Sequence, residues 1–334
     1  MPNIDYLKIF RDAWKITWNN RFLWWFGLFM LASGGVNFNY FSSGDEKSSQ
    51  DWQTFTEKFH LQEFIAKHSA LLAIGLMILI LLCLIFLVLN FIGRGALVKS
   101  TQKILKNEPN SFKIGFRDGK KYFWPIFSIF FFSGLVVAVC FIILFVPIAI
   151  LFVAKSYIIA TILAILAVAI LIPLLILAKY IQTYACFYVV LADLKPWLAV
   201  ENAYALFKKN ILASIIMSLL FIPLGILSFF VLIAIALIVL IIFGLIGLAL
   251  FFAFKNTGAI IALALGLAVF IPSAILFYSI FSAFSEVAWV LFFYVIATPK
   301  VKEVVEEKVE EIGAEATALT GGEAMKTIEV ETEE

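Results

Sequence analysis

The sequence predicts an all-α protein that crosses a membrane several times, in about six helices forming three repeated hairpins. Three observations predict it. Hydrophobic residues make up 63% of the chain and charged residues 14%, against roughly half and a quarter in soluble domains. Several apolar runs reach or exceed the roughly 20 residues that one bilayer crossing needs. A basic or mixed-charge, aromatic-rich stretch also precedes an apolar run three times: Phe10 to Lys15 before Phe22, Phe116 to Lys121 before Trp124, and Val200 to Asn210 before Ile211.

The first run, Phe22 to Val36, is short, and helix on its Trp14 to Asn20 side is expected to lengthen it. Ala32-Ser33-Gly34 has the small residues of a leader-cleavage region. The preceding stretch is long, carries Asp5 and Asp12 and is matched internally at Phe116, so it reads as part of the mature protein. The second run is Ser69 to Gly93, after a polar outer loop, 37–68, in which Trp52, Phe55, Phe59 and Phe64 predict an amphipathic helix from about Ser49 to Lys67. The third is Trp124 to Ala154, after a basic loop, 94–123, in which Ser111 is an expected N-cap. The fourth is Tyr157 to Ala192, interrupted by Lys179 and Gln182. The fifth, Ile211 to Phe254, is one helix or two broken near Pro223-Leu224-Gly225, and the sixth is Ala259 to Ala297, interrupted by Glu286. The turns at Lys155-Ser156 and Lys255 to Gly258 are short, which predicts antiparallel hairpins. Residues 1–298 thus form a membrane domain. Residues 299–334 form an acidic tail with eleven Glu, helical at first through its valine spacing and disordered towards Glu334.

Charge gives the orientation. The side that holds the N-terminal stretch and the loops before the third and fifth runs carries fifteen Lys and Arg, and the other side five. The positive-inside rule therefore places both termini in the cytoplasm. The formal net charge of +2 is segregated along the chain and gives no basic domain for nucleic acid.

Two groups of residues invite a functional reading. Lys113, Arg117, Lys120 and Lys121 lie beside Phe112 and Phe116 on a predicted interfacial helix. Aromatic groups there sink into the headgroup boundary while the cations reach anionic lipids of the inner leaflet. The bland alternative is that the charges only set topology. Ionisable groups within spans are rare and costly, and Lys179 and Glu286 are two such groups at comparable depth. With Gln182 and Ser285, and with Tyr180 and Ser282 near by, they are candidates for an intramembrane polar cluster. Against that stand a structural ion pair and a position at the inner interface. His60 and His68 are too few for a metal site, Cys83, Cys140 and Cys186 read as packing residues, and no hydrolase, zincin or phosphate-loop motif occurs. No cofactor is expected.

The chain resembles the bacterial membrane-domain family found fused to glycerophosphoryl diester phosphodiesterases and also occurring alone. The resemblance rests on Ala13 to Trp18 leading to Leu23-Trp24-Trp25-Phe26-Gly27, on Gly95 to Val98 followed by Pro109 to Phe112 and Gly115-Phe116, and on Val189 to Asp193 followed by Ala203 to Asn210. It implies a helical membrane module, sometimes proposed to anchor the fused enzyme. The stretch after Pro299 is too short for the phosphodiesterase barrel, so hydrolase activity is not implied.

Together with the resemblance, these observations favour a non-catalytic integral protein of the bacterial cytoplasmic membrane, a scaffold or lipid- or partner-binding module, with the acidic tail a candidate docking segment for a protein partner. The alternative is a transporter or channel for a small solute or lipid, built on Lys179, Gln182, Ser285 and Glu286.

Overall fold

The computed structural model describes residues 4–31 and 69–297. The end of the first apolar run, the outer loop with its expected helix and both histidines, and the acidic tail lie outside the described residues. Within them the chain is helical, with no strand: α1 (Tyr6–Asn19), α2 (Leu23–Leu31), α3 (Ser69–Leu105), α4 (Phe112–Lys121), α5 (Phe123–Val153), α6 (Tyr157–Ala192), α7 (Pro196–Lys209), α8 (Ile211–Phe254) and α9 (Asn256–Ile296).

Five of these, α3, α5, α6, α8 and α9, are long and apolar enough to cross a membrane. The protein is therefore a multi-pass helical membrane protein. Large side chains such as Ile74, Ile142, Ile165, Leu240 and Leu263 stand exposed along them, as positions facing lipid rather than water do, because lipid tails are as apolar as the side chains themselves. α2 is described over nine residues.

The helices outrun the bilayer. α3 has 37 residues, about 55 Å at 1.5 Å per residue, against a hydrocarbon core of about 30 Å. Residues 73–88 of α3 are exposed, whereas Ala96, Leu97 and Val98 in its second half are fully buried. The stretch expected as a loop from Arg94 is thus helix to Leu105, followed by a turn and α4. α8 is one unbroken helix of 44 residues with Pro223 inside it, which decides between the one-helix and two-helix readings of that run.

The ends of the long helices are set locally. Asn107, Lys155, Asp193 and Lys255 all have left-handed backbone, φ 50 to 57°. At Lys155 the pattern is a Schellman cap: Ser156 N–H donates to the Leu151 carbonyl at 3.0 Å and Lys155 N–H to that of Phe152 at 3.1 Å. The α8–α9 turn is shorter than the sequence suggests, since only Lys255 separates the two helices.

The chain clusters into two compact units, one from residues 6–127 and 215–289 and the other chiefly from 128–214 with the end of α9. In the first, the buried half of α3 packs against α2 and α4. Glycine makes this approach possible. A Cβ on Gly119 would collide with the Ile92 carbonyl oxygen and lie 2.8 Å from the Ala96 Cβ, and one on Gly115 would lie 2.8 Å from the Phe26 ring. In the second unit the last turns of α6 pack against α7, where Tyr184, Phe187 and Ala203 are fully buried. Phe293 sits among Tyr184, Phe187 and Tyr188, at centroid distances of 6.2, 5.3 and 5.0 Å.

Candidate functional site

Three short helices, α1, α4 and α7, each lead into an apolar helix after a break of one to three residues. Each break has a local cause. At the end of α1 the Asn20 amide donates to the Ile16 carbonyl at 2.9 Å and the Trp24 indole to that of Thr17 at 3.0 Å. The Ile16 carbonyl still takes the Asn20 N–H, but the Trp24 indole occupies the Thr17 carbonyl that the next residue of a continuing helix would use. α1 is therefore a separate helix, not the extension of the first run that the sequence suggested. Tyr122 closes α4 with its own N–H on the carbonyls of Gly119 and Lys120, and Asn210 closes α7 in the same way on Leu206 and Phe207. α4 starts as expected: Ser111 is its N-cap, accepting from the Ile114 N–H at 3.4 Å.

Each of the three buries a small residue at the same position. Ala13, Gly115 and Ala203 each lie six residues before the last residue of their helix, and all three are buried. The opposite faces point outward with their charge. Lys113, Arg117, Lys120 and Lys121 are all exposed on α4, as are Lys8, Arg11 and Lys15 on α1 beside the stacked Trp14 and Trp18. Asp118 does not dilute this face, because Lys103 of α3 donates to its carboxylate at 2.7 Å. Lys121 also lies over the Tyr122 ring, 5.1 Å from its centroid.

The polar residues of the spans fall into two places. Glu286 is buried in the first unit, where its carboxylate lies 3.7 Å from the Arg94 guanidinium of α3. Around this pair the packing is close. Ser279 of α9 donates its hydroxyl to the Trp24 carbonyl, Asn90 donates to the Met30 carbonyl at 2.8 Å, and Gly27 abuts the backbone of Ser279. Ser285 turns back on its own helix, donating to the Phe281 carbonyl at 2.8 Å. The pair is thus a pin between helices, with opposite charges offsetting part of each other's desolvation cost.

Lys179 and Gln182 belong to the second unit. Lys179 is exposed, and Gln182 donates to Ser133 of α5 at 2.8 Å. The adjacent Tyr180 and Tyr184 reach Ser214 of α8. Ser214 Oγ gives its proton to the Asn210 carbonyl at 2.8 Å, so in the 2.7 Å contact it is Tyr184 that donates. This small network joins α6 to the break before α8. Gln182 and Ser133 also line a groove of about 630 Å³ between α5, α6 and the start of α7.

Sequence reasoning missed Arg94 as the partner of Glu286, because it counted Arg94 with the inner loop. The available signal was its setting: a single cation between Gly93 and Gly95 in a run that stays helix-forming to Leu105. Of the cysteines, Cys186 is buried while Cys83 is exposed on the apolar surface of α3. Among the described residues no group of His, Cys, Asp and Glu could hold a metal ion.

Compared with known proteins, the chain matches no family model, no curated protein and no solved structure. The functional reading therefore rests on the geometry of the interfacial helices, the Arg94–Glu286 pin and the groove.

Proposed function

We propose that the protein is a non-catalytic membrane scaffold that organises lipid at one leaflet through α1, α4 and α7. The observation that carries this reading is the division of labour on those helices. A small buried residue brings each against its neighbours, and on α4 the four cations Lys113, Arg117, Lys120 and Lys121 are exposed while Asp118 is held by Lys103 of α3. A helix so placed lays cations at headgroup level, each contributing on the order of 1 kcal/mol near an anionic leaflet.

In the same reading the described end of α2 belongs to a sixth span. The three hairpins are repeats, each preceded by its interfacial helix. Both termini face the cytoplasm of a bacterial cell, and the acidic tail is the segment that meets a protein partner. The resemblance to the phosphodiesterase-associated membrane family fits a module of this kind. A transporter built on Lys179 and Glu286 is the weaker reading, because Glu286 is already matched by Arg94 within close-packed helices.

The test is lipid retention by the full chain in native mass spectrometry, comparing the natural sequence with the K113Q/R117Q/K120Q/K121Q variant. Fewer anionic lipids should survive on the variant. Equal retention at matched folding would remove the basis for the proposal.

A further inference from the structure

The groove in the second unit has a direction. Near the break before α7 it is lined by Ser133, Gln182, Pro196 and Trp197, and deeper along α5 and α6 it is lined by Val136, Leu174 and Leu177. One end is therefore polar and the other wholly aliphatic. The polar end also offers donors. Gln182 gives one amide proton to Ser133, whose oxygen accepts it and whose own proton remains to be donated. Lys195, exposed, immediately precedes the groove-lining Pro196. Trp197 is 83% exposed, the placement of an indole that marks the membrane–water boundary. Phe132 and Val136, 62% and 58% exposed, line a wall open along the apolar surface, so access is sideways from the bilayer.

We infer that this groove binds one glycerophospholipid from the surrounding leaflet. An acyl chain lies along Val136, Leu174 and Leu177, the ester carbonyls accept from Ser133 and Gln182, and the phosphate meets Lys195. The chemistry follows from the gradient. An apolar solute would leave the donors at the mouth unmatched, and a soluble polar one would leave the aliphatic end uncovered. A cavity of about 630 Å³ falls within the ~300–1,000 Å³ of ordinary ligand sites. The inference deepens the lipid-organising reading and rests on it, but it concerns a different surface from the cations of α4.

The experiment uses the delipidated full chain in mild detergent, titrated with phosphatidylglycerol or phosphatidylethanolamine and followed by native mass spectrometry. Ala178→Phe puts a ring into the groove, and it should weaken binding of the tightest single lipid by about tenfold or more. Lys195→Glu should weaken both lipids, since both carry the phosphate. The K113Q/R117Q/K120Q/K121Q variant should keep that tight lipid while losing the weaker anionic ones, which separates failure of the groove from failure of the collar. Should A178F not fold, Trp197 decides. The emission lost in W197F, taken as the Trp197 signal, should be quenched in the natural chain by one equivalent of phospholipid spin-labelled at its headgroup. Natural affinity in a folded A178F, or a Trp197 signal untouched by the headgroup-labelled lipid, overturns the inference.

Discussion

Replacing Gly119 by alanine tests whether the interfacial helices are seated by small residues, as the collar requires. The new Cβ would press on the Ile92 carbonyl oxygen and lie 2.8 Å from the Ala96 Cβ and 2.9 Å from its backbone nitrogen. Carbon atoms rest at about 3.5–4.0 Å, so α4 must retreat by about 0.7 Å. The atoms in the way are mostly backbone, which cannot rotate aside. Overpacking of this kind costs about 1–3 kcal/mol, against a helix-propensity gain of about 1 kcal/mol for removing a glycine. Because the obstructing atoms cannot turn away, the first effect wins, for a net loss of up to about 2 kcal/mol. The retreat would also part Phe112 from Phe26, now stacked at 5.2 Å. Gly134→Ala is the control, because nothing lies within 4 Å of its Cβ position and only the propensity gain applies. Thermal unfolding in detergent, read by near-ultraviolet circular dichroism, should show G119A melting below the natural protein. At about 2–4 °C per kcal/mol the drop is up to about 8 °C, while G134A should melt at or above it. A G119A midpoint equal to or above that of G134A would refute the argument that glycine seats α4 on α3.

Three further outcomes follow from the same structure. Glu286→Gln and Arg94→Met should each lower the midpoint, because each leaves the opposite charge in a site whose side chains are only 9% and 15% exposed. The double variant should lose about 1 kcal/mol less than the sum, and strict additivity in that cycle would show that the two do not interact. Lys155→Gly should raise stability by about 1 kcal/mol, since only glycine accepts left-handed backbone without Cβ strain; no rise in the midpoint would count against the Schellman cap. Ser111→Ala should cost about 1 kcal/mol by removing the N-cap of α4, with faster hydrogen exchange at the Ile114 amide as its local signature.

Much of the secondary structure was legible because it is governed by local composition. The apolar runs from Tyr157, Ile211 and Ser69 became α6, α8 and α3, and Ser111 capped the helix that its neighbours predicted. What stayed hidden depended on reach. Arg94 counts as an inner cation until α3 is seen to continue as helix to Leu105 and place it against Glu286, 192 residues further along the chain. Lys179 and Glu286 look equivalent in sequence, yet one is exposed and the other is buried beside a guanidinium. The groove was equally invisible, since Ser133, Gln182 and Trp197 come from three helices and share no motif.

Read alone, the order of residues determined that this chain lives in a bilayer, where its long helices begin, and which short segments carry exposed charge. Those properties follow from hydropathy and backbone capping, which act over a few neighbouring residues. Tertiary packing alone decided which small residues carry a helix crossing, which acid meets which base, and where an aliphatic channel opens beside polar donors. Such pairings depend on distances across space between helices, and apolar periodicity records only which side of a helix avoids water.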